Sequence, residues 1–164
     1  MEDIVGKTFF KATCTRWCSE YYAVERVVEV GLEKVVECQQ ALGQTVMTQA
    51  DMRFLTSFVK VMKPLVTAMR LTEGETESFM GQMIPPIQGL EKKLGTLSDD
   101  SVLTKPLTSA LLHGIRARFD HVSKTDEYRI AAMLHPKFKF GFIPQEEYMQ
   151  CRQLLLLYIQ RVQR

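Results

Sequence analysis

The stretch SEYYAVERVVEVGLEKVVECQQAL, residues 19–42, most constrains the fold. Its apolar residues Tyr21, Val24, Val27, Val28, Leu32, Val35 and Val36 return at steps of three and four. That spacing places them on one face of a helix, whereas a half-buried strand would repeat every second residue. Glu20, Glu25, Glu29, Glu33 and Glu37 fall mainly off the stripe. Thr15 or Ser19 can cap its start by accepting a hydrogen bond from a free backbone N–H. Gly31 weakens the middle without ending the helix, and Gly43 supplies a stop.

The same period continues along the chain, punctuated by prolines. A second helix starts near Gln49 or Asp51 and carries Phe54, Leu55, Phe58, Val59, Val61 and Met62. Pro64 kinks it, since apolar residues Leu65, Val66, Met69 and Leu71 follow and a proline has no N–H for the preceding turn. A third helix spans about Glu75 to Leu94, with Pro85-Pro86 kinking or dividing it. LGTLSDDSVLTKP is expected as a polar loop, with Pro106 in the first turn of a helix over Leu107–Val122. A short helix in TDEYRIAAMLHP stops at Pro136. KFKFGFIP is irregular or extended. A last helix over Glu146–Arg164 turns Tyr148, Met149, Cys151, Leu154, Leu155, Tyr158 and Val162 inward. The expectation is a single all-α domain over residues 1–164, an irregular bundle of about six helices. KTFFKATC offers a short N-terminal strand.

Composition narrows the function classes. The 164 residues are 46% hydrophobic and 24% charged, as in a globular chain with a core of its own. Net charge is only +2. Residues 105–164 nevertheless carry ten Lys/Arg against five Asp/Glu, a balance of +5, while residues 1–104 stand at −3. An anionic partner is therefore expected at the C-terminal third. The start lacks a basic region followed by an apolar stretch, and no window is long and apolar enough for a membrane span, so an intracellular setting is expected. Cys14, Cys18, Cys38 and Cys151 are expected as free thiols, because the scattered His113, His121 and His135 complete no zinc-binding pattern.

Signatures of catalysis are missing: there is no phosphate-binding glycine loop, HExxH, GxSxG or CxxC. Glu75 and Glu77 suit a helix start, and Asp99-Asp100 reads as loop solvation. His113 fits a core or boundary position on an apolar helix, His121 a helix C-terminus, and His135 a non-helical position before proline. No catalytic residue, metal site or cofactor is expected. Aromatic residues meet cations in two places: Arg16-Trp17 ahead of Tyr21 and Tyr22, and HPKFKFGF with Lys137, Phe138, Lys139, Phe140 and Phe142. Each admits two readings. The rings are packed in the interior, or they stack on unpaired bases while the cations hold phosphates.

Three segments carry a family resemblance. TRWCSEYYAVERVVE resembles the TRWNSTYxMLERLLE element of hAT-superfamily DNA transposases, through Thr15, Arg16, Trp17, Ser19, Tyr21 or Tyr22, Glu25 and Arg26. YRIAAMLHPKFKF resembles their LAALLDPRFKL element, through Ala131, Ala132, Leu134, Pro136, Lys137, Phe138 and Lys139. Between them, residues 53–94 look like a further conserved stretch, with Phe54, Leu55, Phe58, Thr67, Leu71, Pro85 and Leu94 in pattern. The three lie in the family's order and cover nearly the whole chain.

The resemblance implies the helical insertion domain that interrupts the family's RNase H-like catalytic core. That core uses two Asp and one Glu to hold metal ions, and none aligns with this chain. No counterpart of the family's BED-type zinc finger or C-terminal dimerisation segment is seen. The implied protein is a fragment of a transposase or a domesticated remnant, nuclear, without catalytic activity of its own, and able to contact DNA. By resemblance, Trp17 stacks near a DNA hairpin end and Arg16 meets a phosphate or carboxylate, with Lys137 and Lys139 as further nucleic-acid contacts. Cys18 stands where the family has Asn, and His135 where it has Asp. The alternative is a domesticated module that binds a protein partner or a second copy of itself and has no DNA role.

Overall fold

The computed structural model describes residues 8–9, 18–73, 79–100 and 102–163. Among these the architecture is all-α, with seven helices. They are α1 (Ser19–Val30), α2 (Leu32–Ala41), α3 (Gln49–Thr72), α4 (Ile84–Asp100), α5 (Lys105–Lys124), α6 (Asp126–Leu134) and α7 (Tyr148–Val162). Short 3₁₀ turns at Met80–Gln82 and Gln145–Glu147 precede α4 and α7. The expected N-terminal strand, together with Thr15, Arg16, Trp17, Glu75 and Glu77, lies largely or wholly outside the described residues.

Gly31 divides what the apolar stripe suggested was one helix. Its φ of 86° and ψ of 156° leave helical space, in a region open to glycine and strained for other residues. Cys18, not Ser19, holds the N-cap position of α1, with φ 61° and no side-chain cap bond. Gly43 does close α2. The Gln44 N–H reaches the Gln39 carbonyl at 2.8 Å and the Gly43 N–H reaches Gln40 at 3.1 Å, the paired bonds of a Schellman ending.

Helix α3 runs unbroken through Pro64 and starts on a capping box. The Thr48 Oγ1 accepts the Asp51 N–H at 3.2 Å, and the Asp51 carboxylate accepts the Thr48 N–H at 2.9 Å. Pro85 and Pro86 neither kink nor divide a helix. They sit in the first turn of α4, where backbone N–H groups have no intrahelical acceptor to lose. The expected polar loop is also overturned at its start, because α4 continues to Asp100. Extending an established helix is cheap once its first turns are packed. Pro106 lies in the first turn of α5, as its fixed φ favours.

The core forms where α3, α4 and α5 meet. Val61, Leu90, Leu94 and Ile115 are buried, and Leu65, Ile87, Leu111 and Phe119 pack around them. Leu94 has no exposed surface. Helices α1 and α2 add Tyr21, Val35 and Cys38 on one side, and α1 packs on α3. Helix α6 contributes Ala132 and Met133 and packs against the Met80–Gln82 turn. There Gly81 lies so close that a Cβ on it would stand 2.4 Å from the Ala131 carbonyl oxygen.

Helix α7 is less enclosed than its apolar content implied. It packs chiefly on α6, with Cys151 buried and Leu154 and Leu155 half-buried. Tyr148, Met149, Tyr158 and Val162, expected inward, are exposed. His113 also faces solvent rather than a core or boundary, so the apolar content of α5 did not fix its side. No helix among the described residues is long and apolar enough to cross a membrane.

Candidate nucleic-acid interface

HPKFKFGFIP folds as consecutive tight turns. The reason begins at His135, which leaves helical geometry at ψ 123°, as a residue preceding proline should. Its carbonyl accepts the N–H groups of Phe138 at 3.1 Å and Lys139 at 3.0 Å, and its Nδ1 accepts the Lys137 N–H at 3.2 Å. Lys139 takes up a positive φ of 50°, and the Gly141 N–H then returns to the Phe138 carbonyl at 2.9 Å. Three ring contacts or cation contacts fix the side chains. The His135 and Phe138 rings lie 4.7 Å apart, Lys137 Nζ sits 5.8 Å from the Phe138 centroid, and Phe140 packs on Tyr148 at 5.2 Å. Phe138, Phe140 and Phe142 are all half-buried, so neither full interior burial nor full exposure describes the cluster.

Phe138 and Lys137 form a ridge between two grooves. The first, about 480 Å³, is bounded by Arg70 and Leu71 at the end of α3, Gln82, and Pro85-Pro86. The second, about 460 Å³, is bounded by Pro85, Gln88, Gly89 and Lys92 of α4 and by Gly141 and Phe142. Among the described residues, Arg70, Lys92 and Lys137 are the charged ones lining them, and no described carboxylate does so. Pro85 and Pro86, in the first turn of α4, stand at the groove edge.

A third groove continues from the second but differs in charge. It is lined by Lys124, Arg129 and Glu147 among others. Arg129 is paired with Glu147, and Lys124 Nζ with the Asp120 carboxylate at 2.5 Å. Its cations are thereby neutralised locally, whereas those around Phe138 meet no carboxylate among the described residues of the groove walls.

The start of α1 is tied to the same corner. The Cys18 thiol donates to the Met69 sulfur at 3.6 Å, and burial, with Glu73 adding and Arg70 opposing, pushes that thiol's pKa up, so it stays protonated. The Arg70 guanidinium lies 5.1 Å from the Tyr22 centroid, a cation–π contact. Tyr22 meets Tyr21 edge to face at 5.3 Å, and the Tyr21 hydroxyl donates to Glu25 at 2.5 Å. Burial and that bond hold the Tyr21 phenol far above its ordinary pKa.

Of the residues singled out in the sequence, Lys137 lines both grooves and Lys139 lines neither, though it is exposed. Arg16 and Trp17 lie outside the described residues. Arg70 and Lys92 escaped the sequence reading because they come from the part of the chain with a negative balance. Only folding sets them beside Lys137. Cys18, Cys38 and Cys151 are free thiols, and no group of three or more His, Cys, Asp or Glu converges among the described residues.

Comparison with known proteins gives one distant similarity. No family profile matches the chain, and no solved structure matches it. The chain is 23% identical over 146 residues, 87% of its own length, to the human zinc finger BED domain-containing protein 4, of which the match covers 12%.

Proposed function

We propose that this chain is a helical domain derived from an hAT-type transposase, which contacts DNA and holds no strand-cleaving centre of its own. The observation that carries the reading is the pair of grooves around Phe138, lined, among the described residues, by three cations and no carboxylate. The similarity to a protein named for a BED-type finger supports the same descent. A finger needs a close Cys pair and a close His pair; Cys14 and Cys18 are four apart, but His113, His121 and His135 form no such pair, so the shared 146 residues concern something other than the finger. The setting proposed is nuclear. Trp17 and Arg16 belong to the proposed contact through their resemblance to the family's Arg-Trp element. The ties of Cys18 to Met69 and of Tyr22 to Arg70 support it, since they bring the described start of α1 to the groove corner.

The test is DNA binding by fluorescence anisotropy, with duplex and hairpin probes. Lys92→Ala and Lys137→Ala should each weaken both probes, and Trp17→Ala should weaken the hairpin more than the duplex. Wild-type protein that ignores both probes at low salt would sink the reading.

A specific observation favours the second reading, a protein-interaction module. Leu156, Leu157, Ile159 and Val162 are exposed at 38–67% on α7, a density of apolar surface that is unusual on a free helix. Analytical ultracentrifugation of wild type against Leu157→Glu/Val162→Glu separates self-association from a monomeric state.

A further inference from the structure

We infer that Phe138 is a two-sided seat for an unpaired nucleic-acid strand, one base stacking on the ring while its flanking phosphates lie in the two grooves. This rests on the DNA-contact reading above and specifies what kind of nucleic acid the site takes. In a duplex both faces of every base are covered by neighbours, so a protein ring gains nothing from it without opening the stack. A base in a single strand has a free face, and aromatic side chains bind such bases regardless of sequence.

The geometry fits that ligand in three respects. Phe138 is half-buried and borders both grooves, with the His135 ring 4.7 Å and Lys137 Nζ 5.8 Å from its centroid, so the ring is held in place yet adjoins open space. Each groove, at about 480 and 460 Å³, falls within the range of about 300–1,000 Å³ usual for small-molecule sites, enough for one nucleotide. The cations are distributed along the path: Arg70 borders the first groove, Lys92 the second, and Lys137 the ridge between them. A strand crossing the ridge therefore meets a positive charge before, at and after the stacked base. Beyond the second groove the path ends, because Arg129 and Lys124 are already paired with Glu147 and Asp120.

Gly89 gives a test that spares the fold. It is exposed on α4 at the second groove, and a Cβ there meets nothing within 4 Å. Gly89→Glu should keep the helix and place a carboxylate in the path of the phosphates. Phe138→Leu removes the ring, and Phe138→Trp enlarges it. The probes are a short oligothymidylate, an oligouridylate of the same length, and a blunt duplex, each measured by anisotropy, with circular dichroism recording helix content of every variant.

Phe138→Leu should weaken the oligothymidylate by about five- to a hundredfold and change duplex affinity less than twofold. Phe138→Trp should retain the affinity, and Phe138→Trp in a Trp17→Phe background, where it is the sole tryptophan, should show emission quenched on binding. Gly89→Glu should weaken all probes. Equal loss on thymidylate and uridylate identifies a stack indifferent to both the sugar and the base methyl, and a loss confined to uridylate overturns the DNA strand as occupant. If Phe138→Leu binds oligothymidylate as wild type does while Lys92→Ala weakens every probe, the seat is wrong and DNA contact stands. If Gly89→Glu and Lys92→Ala both bind as wild type does, the groove is not the interface at all.

Discussion

At the scale of single residues, two glycines with the same letter carry opposite requirements. Gly81 is buried where the Met80–Gln82 turn meets α6, and its missing Cβ leaves room for the Ala131 carbonyl. Backbone cannot swing aside as a flexible side chain can. Gly81→Ala should therefore destabilise the protein by about 1–3 kcal/mol, the usual cost of overpacking, read as a lower urea midpoint at unchanged slope. Gly89 lies inside α4 with open space before it. Gly89→Ala should stabilise by about 0.5–1 kcal/mol, since alanine loses less backbone freedom in a helix. Neither outcome was legible in the sequence, because distance to a segment fifty residues away does not register in local pattern.

At the scale of elements, the helix periods were legible and their ends only partly. Gly43 and Pro106 announced a stop and a start through local chemistry, and both act so. Gly31 and Pro85-Pro86 were misjudged for one shared reason: the sequence displays a breaker but not the backbone around it. A glycine amid an unbroken stripe reads as tolerated, yet α1 packs on α3 while α2 turns away through the positive φ of Gly31. The cap of α3 can be tested directly. Thr48→Ala should cost about 0.5–2 kcal/mol. Asp51 reaches both the Thr48 hydroxyl and its N–H, which together hold its carboxyl below the ordinary pKa. A group with a depressed folded pKa stabilises above its unfolded value and loses that contribution as pH falls through the folded one. The difference in unfolding midpoint between wild type and Asp51→Ala should therefore be full at neutral pH and vanish in acid below the carboxylate range. Pro64 supplies no N–H to the turn before it within a continuous helix, so Pro64→Ala should raise stability by about 1–3 kcal/mol, read as a higher urea midpoint; a lower midpoint would overturn the expectation.

At the scale of the whole molecule, the all-α class followed from periodicity, and the site did not follow from charge counted along the chain. The excess of +5 lies in residues 105–164, but of the three groove cations only Lys137 comes from there. Arg70 and Lys92 come from α3 and α4, in the part of the chain where acids outnumber bases, and the fold sets them in the grooves beside Phe138. Two mechanisms of DNA contact then differ in their dependence on salt. Binding through the groove engages about three phosphates, so log K should fall against log salt with a slope of about −2.7 for duplex and about −2.1 for a single strand. Removing Lys92 or Lys137 should flatten that slope by close to one phosphate's share, because each cation that leaves takes one displaced counterion with it. Binding through the diffuse excess of the last sixty residues would give a steeper slope that Lys137→Ala flattens and Lys92→Ala does not move, since only Lys137 lies within that segment. A titration of wild type, Lys92→Ala and Lys137→Ala over the same salt range separates the two, and a slope unchanged in both variants would place the contact away from the groove.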